Sequence, residues 1–180
     1  GNDLDYFTDG QGRKTLDPIG PGFRDSGATL VAAASDSIPH KRIRHSNIGS
    51  RMDCYAWGER VSTGGSHLGP SDIAIDSYRK KISGTSSAAA IIAGAAIIVQ
   101  SIVEANYGFR LGPKQLRQIF SDDLLGTTSA NGRVADRIGS MPDLKKIIEY
   151  IHFNHHRLKI SKDGFPDSDV KSNTFSSAIG

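Results

Sequence analysis

Ser83-Gly84-Thr85-Ser86-Ser87-Ala88-Ala89-Ala90-Ile91-Ile92-Ala93-Gly94 decides how the rest of this sequence is read. A turn of small residues presents hydroxyls and then runs straight into an apolar segment, with no polar side chain from Ala88 to Val99. That run is too short to cross a bilayer as a helix. It predicts instead a helix beginning near Ser86, ending near Asn106 and buried on all sides within a globular domain. A serine at the mouth of such a helix sits beside free backbone N–H groups and the positive end of the helix dipole, where an oxyanion is stabilised. Two readings compete: Thr85 or Ser86 caps the helix, or Ser86 is a nucleophile.

The composition narrows the field. With 180 residues, one domain is expected, large enough to bury a core. Hydrophobic residues make up 37% and charged residues 23%, which excludes a disordered chain. A net charge of +3 is too weak for nucleic-acid binding without a concentrated patch. The one basic cluster, His40-Lys41-Arg42-Ile43-Arg44-His45, has no aromatic interleaving and reads as a solvated connecting strand. Cys54, the single cysteine, cannot form an internal disulfide and reads as a small buried hydrophobe. The start, Gly1-Asn2-Asp3-Leu4-Asp5, has no signal-peptide pattern and no initiator methionine, so the chain is expected to be a piece of something longer.

Outward from the central stretch, residues 1–27 are turn-rich and read as surface loop. Asp3, Asp5 and Asp9 lack the spacing of a calcium loop and read as solvated. Ala28–Ala34 is a short continuous apolar run, as in a strand buried on both faces of a parallel sheet. Met52–Trp57, closed by Gly58, is a second strand. Residues 63–78 read as loop. After the central helix, Pro113–Phe120 starts with a helix-initiating proline, and a last helix from Pro142 carries Leu144, Ile147, Ile148 and Ile151 at helical spacing. From Asn154 the chain turns polar, so residues 1–152 form the expected domain and 153–180 a tail or linker.

A nucleophilic serine needs a base, an orienter for that base and donors for the oxyanion. Within the chain, Asp123, Asp136, His152, His155 and His156 follow Ser86 in the Ser, Asp, His order of the G-x-S-x-G hydrolases. The elbow those enzymes use follows a firm apolar strand. Arg79-Lys80-Lys81-Ile82-Ser83 is a poor one, and the fifth elbow position is Ala88 rather than glycine.

Gly84-Thr85-Ser86-Ser87-Ala88-Ala89-Ala90-Ile91-Ile92-Ala93-Gly94 resembles the serine motif of the subtilases, the subtilisin-like serine peptidases, G-T-S-x-A-x-P-x-x-A-G. It departs once, at Ala90, where the family has proline. Further pieces follow in family order. Asp25–Ala34 is similar to the strand after the substrate-pocket region, His45–Gly58 to the F-S-N-x-G segment and its strand, and Ile138–Leu144 to the approach to the last helix. Gly1-Asn2 falls where the family has A-G-N.

The resemblance implies an α/β fold with a mostly parallel sheet flanked by helices, of which this chain is the C-terminal portion. It implies serine endopeptidase chemistry through an acyl-enzyme on Ser86, with the Asn2 side-chain amide as an oxyanion donor. It places the catalytic Asp and His in an N-terminal half, upstream of Gly1. Asp25-Ser26-Gly27 mimics the family's aspartate motif but comes after Asn2, the wrong order, and His67 lies in a Gly-rich loop outside any motif. The expected partners are that N-terminal half and a polypeptide substrate, with no nucleic acid and no membrane. No cofactor is needed for the chemistry. The family commonly binds structural calcium, for which no loop here is assigned, and family habit is the sole pointer to secretion. The alternative from another class is a non-catalytic subtilase-like scaffold.

Overall fold

The computed structural model describes residues 1–64 and 78–160, with the side chains of 78–81 excepted. The strands are β1 (Val31–Ala34), β2 (Cys54–Trp57), β3 (Val61–Gly64), β4 (Tyr78–Ile82), β5 (Gly126–Thr128) and β6 (Ser140–Pro142). The helices are α1 (Thr85–Tyr107), α2 (Pro113–Ser121), α3 (Gly132–Asp136) and α4 (Leu144–Ile160). The main sheet has the order β1-β2-β6-β5, with β1–β2 and β2–β6 parallel and β5 antiparallel at the edge. β3 and β4 form a separate antiparallel pair.

The two expected strands are thus the parallel pair of the sheet, in the register Val31↔Cys54 to Ala34↔Trp57. Their alternating side chains feed two cores. Ala33, Cys54 and Ala56 face α1, α2 and α4, together with Ala88, Ile92, Val99 and Val103 of α1. Ala32, Ala34 and Tyr55 face the other way, against Met52 and Ile138. On the α1 side of β1 the small Ala33 leaves room for the helix to lie close on the sheet. Cys54 is fully buried, and burial pushes its thiol well above the ordinary range, so it is an inert core residue.

Several expectations are corrected. α1 is not buried on all sides among the described residues. Its inward stripe is Ala88, Ile92, Val99 and Val103, while Ile91, Ile97 and Ile98 are 40%, 68% and 49% exposed. The apolar run alone is shorter than a bilayer span, but the whole helix has 23 residues and its best window a mean hydropathy of 2.0. By length and composition it is apolar enough to cross a membrane. In this fold it lies against β1, β2 and α4, and Gln100 in its second half exchanges hydrogen bonds with the backbone of Leu111 (2.8 and 2.9 Å).

α4 starts two residues later than Pro142 and runs through Asn154 to Ile160, so the boundary at 152/153 falls inside a helix. Leu158, beyond that boundary, is buried, and its carbonyl accepts from Gln115 Nε2 at 2.8 Å. Residues 161–180, the rest of the expected tail, lie outside the described residues, as do His67 and most of the 63–78 loop.

The acidic N-terminal loop is pinned rather than merely solvated. Arg137 grips Asp3 with both terminal nitrogens (2.7 and 2.9 Å) and also reaches Asp5. Asp5 further accepts from the backbone N–H and hydroxyl of Ser50 (2.7 and 2.8 Å). Burial pushes the Asp5 carboxyl up, but these bonds from Ser50 and Arg137 outweigh it and hold it below the usual range. Arg137 does this from a left-handed backbone, φ 51°.

Candidate active site

Ser86 is the second residue of α1 and is exposed. The residue at the cap position is Gly84, and no side chain caps the helix. The capping reading for Thr85 and Ser86 therefore does not hold: the hydroxyl of Ser86 is left over from the helix's own hydrogen bonding. By helix geometry the N–H groups of Thr85 and Ser86 have no intrahelical acceptor, while Ser87 N–H turns back to the Gly84 carbonyl at 3.2 Å. An exposed hydroxyl beside unused N–H groups at the dipole's positive end is an arrangement that can stabilise negative charge on a bound carbonyl oxygen.

The turn before the helix is held by close backbone approach. Gly84 has φ 156° and ψ 159°, a conformation that favours glycine. Its N–H donates to the Gly58 carbonyl at 2.8 Å, just past the end of β2. Gly58 leaves no space for a side chain: a Cβ there would lie 2.3 Å from Ala33 Cβ, 3.0 Å from the Gly84 carbonyl oxygen and 3.3 Å from Ile43 Cδ1. Gly58 thus locks the serine turn onto the carboxyl ends of the parallel strands, the end of an open α/β sheet at which ligands bind. This role has only a weak local signal in the sequence, a glycine directly after an aromatic strand end, which marks close backbone approach.

β4 leads directly into the turn. Arg79–Ser83, by sequence a poor strand, is a strand through Ile82, paired antiparallel to β3 (Val61↔Ile82, Gly64↔Tyr78) outside the main sheet. Its pairing lies in the separate hairpin, so it is not the central parallel strand that a G-x-S-x-G elbow follows.

Asn2 is tied to a different segment, residues 44–48. Its N–H donates to Asn47 Oδ1 at 2.9 Å and its carbonyl accepts from Ile48 N–H at 3.0 Å, beside a parallel bridge between Asp3 and Ile48. The N-terminal amine meets the Arg44 carbonyl at 3.2 Å. The 41–46 segment to which it is attached lies along β1, with Ile43 N–H on the Ala33 carbonyl (3.1 Å) and Ser46 Oγ accepting from Ala33 N–H (2.9 Å). Asn2 is exposed, and none of these bonds joins it to Ser86.

The downstream acids and bases do not gather around Ser86. His152 bonds Tyr107 Oη at 3.0 Å and His155 stacks on the same ring at 4.4 Å, with His156 beside His155. Tyr107 is the last residue of α1. At about 1.5 Å per residue it lies roughly 30 Å from Ser86 along the helix, so the internal Ser–Asp–His arrangement is excluded. Asp123 is engaged by Arg133 and Ser140, and Asp136 by Asn131 (3.0 and 3.1 Å). Asp25, the wrong-order mimic, bolts its turn to α2 through Arg117 (2.5 and 3.1 Å). That guanidinium, with the Gly27 N–H, pulls its carboxyl down to about 2. Among the described residues no group of three or more His, Cys, Asp or Glu side chains is placed to hold a metal ion.

No family model and no curated protein matches this sequence. Solved structures do. One is the prenylagaramide maturation protease PagA, at 19% identity and a TM-score of 0.52, covering 69% of this chain and 42% of that one. Another is the patellamide maturation protease PatA, at 18% identity and a TM-score of 0.53, covering 71% and 44%. The likeness shows the fold: mixed α/β, with a mostly parallel sheet flanked by helices. The chain spans less than half the length of either neighbour.

Proposed function

We propose that this chain is the nucleophile-bearing half of a serine peptidase of the subtilisin type. The observation that carries the reading is Ser86 itself: an exposed hydroxyl at the second position of a long helix whose cap is glycine, at the carboxyl end of the parallel strands. The G-T-S-x-A motif and the likeness of the fold to two maturation proteases support it.

In this reading Ser86 Oγ attacks the scissile carbonyl carbon and the peptide C–N bond then breaks, leaving an acyl-enzyme that water hydrolyses. The oxyanion of each tetrahedral intermediate is met by the Ser86 N–H and by the side-chain amide of Asn2. Subtilisin itself uses such an asparagine, and losing it there costs about two to three orders of magnitude in turnover. The proton goes to a histidine, oriented by an aspartate, both supplied by an N-terminal half of the domain. Without that base the serine is a poor nucleophile: removal of the histidine in subtilisin costs about six orders of magnitude. The chemistry needs no cofactor.

The reading is tested by fluorophosphonate labelling of the chain together with its N-terminal half. Labelling at Ser86, absent in Ser86→Ala, is expected. No labelling of an assembly that is folded would leave a non-catalytic scaffold instead.

A further inference from the structure

The basic cluster His40–His45, by sequence a solvated connecting strand, lies at the Ser86 end of the sheet. Residues 35–60 hold five Lys or Arg against three Asp or Glu, and β4 adds Arg79, Lys80 and Lys81 with no acid. Together they carry +5, more than the +3 of the whole chain, so the remainder is net acidic. The charge is asymmetric, and the fold gives it a place.

That place follows from three backbone contacts. Ser35 N–H donates to the Lys41 carbonyl at 2.7 Å and Ile43 N–H to the Ala33 carbonyl, so residues 41–43 run antiparallel along the end of β1. The Ile43 side chain lies against Gly58, and Gly58 against Gly84, two residues before the serine. Lys41 and Arg44 flank this anchor and are exposed. Arg60, just past Gly58, is exposed as well, with Asp36 as its partner at 3.1 Å. Along the chain, Arg79, Lys80 and Lys81 of β4 lead through Ile82 and Ser83 into the serine turn.

We infer that this end of the sheet takes acidic polypeptide segments, rich in Asp and Glu around the bond presented to Ser86. The inference rests on the proposed peptidase reading for its substrate sense and on the charge placement for its binding sense. Cations spread over a rim attract an oppositely charged chain at long range, raising its local concentration and its rate of arrival. At 0.15 M salt the Debye length is about 8 Å, so such binding weakens strongly as salt rises. A nucleic acid carries the same sign of charge, but Lys41–Arg44 interleaves no Phe, Tyr or Trp on which bases would stack, and the neighbouring Trp57 ring already packs on His40 at 4.9 Å between centroids.

The test uses this chain with its N-terminal half and three fluorescein-labelled peptides that differ only in carrying Glu, Gln or Lys at alternate positions. An oligothymidylate of equal charge serves as the fourth probe. Fluorescence anisotropy at low salt is expected to show the Glu peptide binding about tenfold or more tighter than the Gln peptide, with the margin mostly lost by about 0.3 M salt. The Lys41→Glu/Arg44→Glu double variant should lose the preference while its fluorophosphonate labelling and melting stay unchanged, and Lys41→Gln/Arg44→Gln should lose part of it. Equal binding of Glu and Gln peptides, tighter binding of the oligonucleotide, or an undiminished preference in the double Glu variant would overturn the inference. Labelling at Ser86 without an acidic preference sinks this inference and spares the peptidase reading. Acidic preference without labelling does the reverse.

Discussion

Gly58→Ala is the sharpest probe of how the serine turn is held. The added Cβ would stand 2.3 Å from Ala33 Cβ, whereas carbon atoms in contact sit about 3.5–4.0 Å apart. The overlap exceeds 1 Å and cannot be relieved by rotating a side chain, because Ala33 has no rotamer and both residues sit on or beside paired strands. β1 and β2 must therefore spread, or Gly58 must withdraw and take the Gly84 N–H bond (2.8 Å) with it. Overpacking of this kind costs about 1–3 kcal/mol, and a backbone-fixed clash belongs at the upper end. For a chain of this size about 3 kcal/mol corresponds to a fall in Tm of roughly 6–12 °C. Urea unfolding followed by the fluorescence of Trp57, the single tryptophan, reads the loss directly. Ala33→Gly in the same molecule reopens the space, so the double variant should recover much of what Gly58→Ala loses. A Gly58→Ala protein within about 0.5 kcal/mol of the parent, or a double variant no better than the single one, would refute the close-approach argument.

Three other perturbations follow from the same geometry. Asp25 is held at about 2, below its ordinary 3.8, by Arg117 and the Gly27 N–H, so its stabilisation is full above about pH 4 and lost as pH falls toward 2. The side chain is partly solvated, so about 1 kcal/mol is expected, and Asp25→Asn should flatten that limb of a stability–pH profile; an unchanged limb would dismiss the bolt. Arg137→Ala should cost about 1–3 kcal/mol by taking the guanidinium from Asp3 and Asp5, which keep only their bonds to Asp5 N–H and Ser50, and should hasten proteolysis of residues 1–10. Arg137→Gly should cost about 1 kcal/mol less than Arg137→Ala, because φ is 51° there. Equal losses in denaturant melts would count against backbone strain at that position. The uncovered isoleucines of α1 should make the isolated chain self-associate, and Ile97→Lys/Ile98→Glu should reduce this in sedimentation velocity; a monomeric parent would contradict it.

The legible parts of the fold are those with a local signal. Val31–Ala34 and Cys54–Trp57 announce themselves as short apolar runs, and α1, α2 and α4 as long apolar, proline-started and periodic stretches. β5 and β6, three residues each, have no such run; Gly126–Thr128 and Ser140–Pro142 become strands by pairing with each other and with Cys54. The full length of α4 is hidden by its polar second half, where Leu158 alone is buried. Nor can the sequence pair Arg137 with Asp3, 134 positions away. At the site, Ser86 is readable because motif and helix start coincide in one local stretch. The lock at Gly58 is not, since it depends on β1, β2 and the serine turn meeting in space. The exposed face of α1 escapes for a related reason: an apolar run shows what a helix could bury, and only the neighbours decide which side is covered.

Whether Ser86 is the nucleophile is read by fluorophosphonate labelling with the modified residue located by mass spectrometry. The chain with its N-terminal half should be labelled at Ser86, Ser86→Ala should not be labelled, and the chain alone should react hardly at all. Labelling of another serine, or equally fast labelling of Ser86 in the isolated chain, would contradict it.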